Sequence, residues 1–187
     1  MHYLLATPFR YPPLPYGSRF GSRFEPGLFY AARTPATTLA ESAYYRFVFW
    51  SGMATPPSQP LHTRHTMFKA EIRTERGLQL QLTPFDEHRA ELTDRSLYGA
   101  TQALGREMRA ANIDAFEYVS ARDPLEGVNV ALFTPRALAS HAPSILEEWL
   151  CETDGASVTY YSRHGGGFYQ FDLDTFTVKG RLPTPAV

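Results

Sequence analysis

The stretch Gly17-Ser18-Arg19-Phe20-Gly21-Ser22-Arg23-Phe24-Glu25-Pro26-Gly27-Leu28-Phe29-Tyr30-Ala31-Ala32-Arg33-Thr34-Pro35-Ala36-Thr37-Thr38-Leu39-Ala40-Glu41 carries the reading of the fold. It divides into a loop, a strand and a helix. The loop belongs to residues 8–27, which are rich in Pro, Gly, Arg and aromatics; their prolines forbid a helix and their glycines punctuate the backbone. The short apolar run Leu28-Phe29-Tyr30-Ala31 reads as a buried strand. Thr34 is a good N-cap and Pro35 is favoured at the first helical position, so a helix starts there. It is expected to run to about Trp50 and to end at Ser51-Gly52. From Ala43 onward it is apolar almost all round, which predicts a buried helix.

Outward from this core, residues 54–65 read as a Pro-rich loop, and Met67 to Ile72 and Leu78 to Leu82 as strands. Leu92 to Ala111 has helical spacing through Leu97, Ala100, Ala103, Leu104 and Met108. Phe116 to Val119 and Val128 to Phe133 read as two strands around a loop, followed by a short helix or turn over Pro135 to His141. Ser157 to Tyr161 and Phe168 to Phe171 form a closing hairpin across Gly165-Gly166-Gly167. On the N-terminal side, Met1-His2-Tyr3-Leu4-Leu5 enters directly into apolar sequence without the pattern of a signal peptide. Strands and helices alternate irregularly, so the class is α+β rather than a doubly wound sheet. The 187 residues fit one domain able to bury a real core.

The formal net charge of −1 argues against a dedicated duplex-DNA binder. Lys69 and Lys179 are the only lysines; the other basic residues are Arg, the better partner for fixed contact with phosphate or carboxylate. An Arg-biased composition explains this equally well. Cys151 stands alone, so no internal disulfide framework forms, which suits a reducing cytoplasm. No apolar run is long enough to span a bilayer.

Glu41 is the most informative single residue. A carboxylate on a largely buried helix is costly unless it is paired or hydrogen-bonded, and Arg19, Arg23 and Arg33 are the nearest cations in sequence. The plain alternative is an acid near a helix start, where the dipole favours it. Arg19 and Arg23 lie in a Gly/Ser loop whose amides and hydroxyls suit a phosphate, although the pattern is neither a P-loop nor a dinucleotide fingerprint. Tyr118-Val119-Ser120-Ala121-Arg122-Asp123-Pro124 precedes a strand holding Asn129; Ser120 at a strand end points into a cleft or simply makes a turn. His62 and His65 read as solvated loop histidines with no partners for a metal site. Cys151 reads as a small buried apolar residue, and Asp86-Glu87 and Glu147-Glu148 as solvated faces.

Four pieces in this order resemble the RES-domain family. They are Gly17-Ser18-Arg19-Phe20, Leu28 to Ala32, Thr37-Thr38-Leu39-Ala40-Glu41, and Tyr118-Val119-Ser120-Ala121-Arg122, followed by the strand Gly127 to Phe133. The resemblance spans roughly residues 3–172 and implies a single RES domain over residues 1–187. Members are toxins of bacterial RES–Xre toxin–antitoxin pairs, and this chain is most similar to the ParT-like branch. The resemblance implies an ADP-ribosyltransferase-like domain with a central mixed, mostly antiparallel sheet and flanking helices. It implies NAD as substrate, with no bound prosthetic group and no metal. Arg19, Tyr30, Glu41 and Ser120 would be the catalytic set, and Arg19, Arg23, Tyr30, Ser120 and Asn129 the NAD-binding one. The implied reaction breaks the nicotinamide–ribose bond, with phosphate, water or a protein side chain as acceptor; phosphoribosyl pyrophosphate synthetase is one such protein target. The implied setting is cytoplasmic, with a cognate Xre-type antitoxin covering the site and no membrane or direct DNA contact.

Two other classes compete. The Arg/aromatic interleaving from Phe9 to Phe24 suits a non-enzymatic single-stranded nucleic-acid binder, in which rings stack bases and Arg holds phosphates. A structural or interaction domain would leave Glu41 as a helix-start acid.

Overall fold

The computed structural model describes residues 1–11, 13–163, 165 and 167–184. Among these the chain is α+β, with two four-stranded sheets. The first sheet has the order β1 (Phe29–Ala32), β5 (Val128–Leu132), β4 (Ala115–Val119), β3 (Gly77–Gln79). Only its β3–β4 pair is parallel. The second sheet is antiparallel throughout: β2 (Leu61–Lys69), β6 (Ile145–Thr153), β7 (Ser157–Ser162), β8 (Phe168–Asp172). The expected mixed, mostly antiparallel pairing is therefore present, divided between two sheets.

Strand alternation sorts the first sheet into two faces. The register places Tyr30, Ala131 and Phe116 in one cross-strand row and Ala32, Asn129 and Tyr118 in the next, all on one face. Phe20, Leu28, Leu80 and Met108 pack on the apolar part of that face. Phe29, Val130 and Leu132 point the other way, onto Leu5 of α1 (Tyr3–Arg10) and onto Phe68, Ala70 and Ile72.

Helix α2 (Pro35–Ser51) joins the two sheets. Thr34 caps it, accepting from the Thr37 N–H at 3.2 Å, with Pro35 in the first turn and Gly52 at the C-cap. Leu39, Ala43, Tyr44 and Phe47 are buried against Trp149, Val158 and Tyr160 of the second sheet. The helix is not buried all round as its composition suggests, because Phe49 is 55% exposed with the Arg46 guanidinium over its ring.

Several boundaries differ from the sequence expectation for local reasons. Helix α1 runs through Pro8, which sits in the last turn of a short helix where its missing N–H removes a single bond, while fully buried Leu5 anchors the helix. The expected long helix from Leu92 divides into α3 (Arg89–Leu92) and α4 (Gly99–Ala110). Asp94 causes the break: its carboxylate accepts from the N–H groups of Ser96 and Leu97, holding a turn. That contact, with Ser96 first, keeps the Asp94 carboxyl below the usual carboxylate range.

The Pro-rich loop gives way to β2 at Leu61, so His62 and His65 lie on a strand rather than in a loop. β6, with buried Trp149 and Cys151 alternating with outward Glu148 and Leu150, is a strand that composition alone concealed behind its paired acids. Glu148 is not merely solvated, since Arg163 donates to it at 2.8 Å. The hairpin β7–β8 forms as expected, while Gly166 of its tip lies outside the described residues. Among the described residues no helix is long and apolar enough to cross a membrane.

His65 gives the fold an acid-sensitive point. Its Nε2 is 2.9 Å from the Thr63 hydroxyl, its ring meets Tyr160 edge-on, and burial followed by the charge of Arg46 lowers its pKa. The unfolded chain therefore accepts a proton that the folded chain resists. The associated stability is whole above the unfolded value near about 6.5 and is lost as the pH falls through the lower folded value. Thermal melts should fall as pH drops from about 7.5 to about 5, and His65→Gln should flatten that decline. A His65→Gln profile parallel to the parent's would show that the histidine contributes nothing.

Candidate functional site

Glu41 points from α2 into a cavity of about 210 Å³ between the helix and the first sheet. Two groups fix one of its oxygens: the Ser120 hydroxyl and the Asn129 side-chain amide each donate to Oε1 at 2.6 Å. Neither a hydrogen bond nor an ion pair to Oε2 occurs among the described residues. The carboxylate is thus oriented on one side and available on the other. Glu41 is the seventh residue of α2, and the first turn holds no acid, so a dipole-stabilised helix-start acid does not describe it. Of the three cations nearest in sequence, none pairs with it: Arg33 binds Glu117 on the opposite face of the sheet.

Ser120 continues the alternation of Tyr118 one step past the end of β4, which is why its side chain reaches Glu41. It is 3% exposed, and its oxygen also accepts from the N–H groups of Arg122 and Asp123 at 3.1 and 2.9 Å. The turn and the cleft are therefore one arrangement: accepting from its own turn leaves the hydroxyl proton directed at Glu41.

Arg19 enters from a tight turn closed by the Ser18 N–H donating to the Gly21 carbonyl at 2.7 Å. Both residues at the tip point inward. Phe20 is fully buried, edge-on to Phe116 and Tyr118 with centroids 4.7 and 4.8 Å away. Arg19 stacks over Tyr98 at 4.5 Å and donates through Nη1 to the carbonyls of Leu92 and Asp94. Tyr30 locks this turn to β1: its hydroxyl accepts from the Phe20 N–H at 3.2 Å and shares a proton with Ser18 at 2.9 Å. Burial of the hydroxyl pushes Tyr30 up to about 12, so it stays a neutral phenol at neutral pH.

A protein-family model described as RES domain matches residues 1–154. The chain belongs to the RES domain family. The match takes in every cavity residue named above. No curated protein matches the chain.

The RES domain thus brings Arg19, Tyr30, Glu41 and Asn129 together around one cavity, with Ser120 bonded to Glu41 behind the wall. Arg23 is not among them; it is exposed, lying over the ring of exposed Phe24. The rest of the wall includes Tyr45, Tyr98, Tyr118 and Arg122, to which the sequence assigned no role in the site. Burial raises Tyr45 and Tyr118, and the charge of Glu41 adds to both. Helical spacing from Glu41 to Tyr45 and strand alternation from Tyr118 to Ser120 would have found two of these. Tyr98 and Arg122 are set by the turn after α3, which no local pattern announces. Among the described residues there is no cluster of His, Cys, Asp or Glu able to hold a metal ion.

The loop from Ser120 to Gly127 approaches α2 closely. A Cβ on Gly127 would collide with the Thr37 hydroxyl and the Asp123 carboxylate, both beside the site. Gly127→Ala should therefore cost about 1–3 kcal/mol of stability in urea denaturation, as overpacking does. A variant as stable as the parent would mean that the loop yields freely and does not fix Ser120.

Proposed function

We propose that this RES domain breaks the nicotinamide–ribose bond of NAD. The observation that carries the reading is the carboxylate of Glu41, held through Oε1 by Ser120 and Asn129 and free at Oε2, facing a tyrosine-walled cavity. Bond breakage sends the C–N electron pair to the pyridinium nitrogen and leaves positive charge on the ribose. A preoriented carboxylate beside that carbon stabilises the charge without reorganising at the moment of reaction. The nicotinamide leaves neutral, so the site needs no general acid. The tyrosine faces suit a flat cationic ring.

A second hollow of about 510 Å³ shares Tyr30, Ala31, Ala32 and Thr38 with the first but is lined by Phe29, Glu117 and Val130 of the opposite sheet face, so it lies across the edge strand β1 from the cavity. NAD acts here as substrate, with no prosthetic group. Its ribose lies against Glu41 and Ser120, its ring against Tyr30, and its pyrophosphate toward Arg19. Asn129 serves by orienting Glu41.

The biological reading is a toxin of a RES–Xre pair, of the ParT-like branch and acting in the cytoplasm, with an Xre-type antitoxin covering the cleft. The acceptor is phosphate, water or a protein side chain such as one of phosphoribosyl pyrophosphate synthetase. Of the Arg/aromatic segment behind the single-strand-binding alternative, Phe20 and Arg19 are buried and Phe9 packs against Phe29, while Tyr11, Arg23 and Phe24 remain exposed.

Purified protein should release nicotinamide from NAD. Glu41→Gln should lower that rate by about two to three orders of magnitude while leaving the circular dichroism spectrum unchanged. Product analysis with and without phosphate identifies the acceptor. Equal turnover by the folded Glu41→Gln protein would sink the assignment.

A further inference from the structure

Arg122 is 2% exposed, and no carboxylate lies within ion-pairing distance of it among the described residues. Its guanidinium lies 3.7 Å over the Tyr44 ring, and Nη2 donates to the Arg95 carbonyl at 2.8 Å and to the Tyr98 hydroxyl at 3.0 Å. Nη1 is buried without a partner. Arg19 repeats this pattern from the other side of Tyr98: it is 8% exposed, carbonyl-bound through Nη1, and unpartnered at buried Nη2. Both arginines line the cavity that holds Glu41.

Two buried like charges with no acid in ion-pair contact are unfavourable unless something else compensates them, and the Asp94 carboxylate acts on both only from beyond that distance. The carbonyls of Leu92, Asp94 and Arg95 supply part of the compensation and fix the geometry. They leave one donor on each arginine unused. A planar guanidinium with a spare N–H matches a tetrahedral oxyanion better than a point charge does.

We infer that Arg122, together with Arg19, forms an oxyanion-holding pair in the cavity wall that takes a phosphate group. Arg122, rather than Arg23, is then the second phosphate contact of the site. The inference rests on the NAD reading only for the carrier of that phosphate. The group arrives either in the pyrophosphate of the nucleotide or as free orthophosphate.

Calorimetric titration of the full chain with ADP-ribose, inorganic phosphate and nicotinamide tests the pair. In Arg122→Met, ADP-ribose should bind roughly tenfold more weakly or worse, the loss of a charged hydrogen bond, while phosphate-free nicotinamide binds as before. That result assigns the pair to the nucleotide pyrophosphate. Loss of inorganic phosphate binding with ADP-ribose unchanged supports the pair and assigns it to free phosphate. If neither phosphate probe weakens, or nicotinamide weakens equally, the inference is overturned.

Should Arg122→Met fail to fold, side-chain NMR of the parent gives the answer. The Arg122 guanidinium signal must shift on adding ADP-ribose or phosphate, and an unmoved signal overturns the pair. The two readings fail separately. No nicotinamide release with Arg122-dependent phosphate binding removes NAD cleavage and keeps the pair. NAD turnover by Arg122→Met with KM unchanged for both NAD and phosphate removes the pair and keeps NAD cleavage.

Discussion

The site depends on one shared acceptor, the Oε1 oxygen of Glu41. Ser120 reaches it from the loop after β4, Asn129 from β5, and Glu41 itself from α2. Ser120 and Asn129 lie 79 and 88 residues from Glu41 in sequence, so the two bonds tie the helix to both strands at the end where the 120–127 loop joins them. A carboxylate on a helix packed against a sheet must be satisfied. Here it is satisfied on one oxygen only, and the asymmetry leaves the other oxygen without a partner among the described residues. Hydrogen bonds to a charged partner in a partly enclosed site are worth more than their surface equivalents. The same bonds that satisfy the carboxylate therefore also hold its direction.

How much of this was legible follows from how local each feature is. Helix α2 announced itself through Thr34, Pro35 and Gly52, each acting on its immediate backbone. β4 and β5 showed through apolar runs, and once their register is fixed, alternation carries Tyr118, Ser120 and Asn129 to one face. β6 stayed hidden because Glu147 and Glu148 read as solvated, whereas on the strand Glu148 alternates outward with Leu150 while Trp149 and Cys151 fill the core. The break between α3 and α4 was hidden for another reason. Helical spacing persists through Leu97 to Met108, and only the Asp94 side chain, competing for the N–H groups of Ser96 and Leu97, ends the first segment.

That break matters beyond the helix. Were residues 92–98 helical, the carbonyls of Leu92, Asp94 and Arg95 would be drawn toward bonds within the helix. Instead they are turned toward Arg19 and Arg122. Choosing between Arg19 and Arg23 on sequence was difficult because both stand in a Ser-Arg-Phe triplet. The phenylalanines decide it. Phe20 is drawn into the core against Phe116 and Tyr118 and carries Arg19 inward, whereas Phe24 is 83% exposed and leaves Arg23 in solvent.

The cavity therefore combines one half-free carboxylate with two arginines that are bonded to carbonyls and paired with no acid, the Asp94 carboxylate acting on both from beyond ion-pairing distance. An acid paired directly with Arg19 or Arg122 would relieve their repulsion, yet it would occupy the donors that now stand unused and would repel an anion. A cation beside Glu41 would satisfy Oε2, yet it would screen the negative charge needed against a developing cation. Both omissions favour the same kind of ligand: one that carries negative charge on one side and builds positive charge on the other. Stability is given up at such positions because the missing partner is supplied by what binds. The arrangement suits a nucleotide better than a purely structural role, in which nothing would prevent the empty donors and the free oxygen from being paired within the chain.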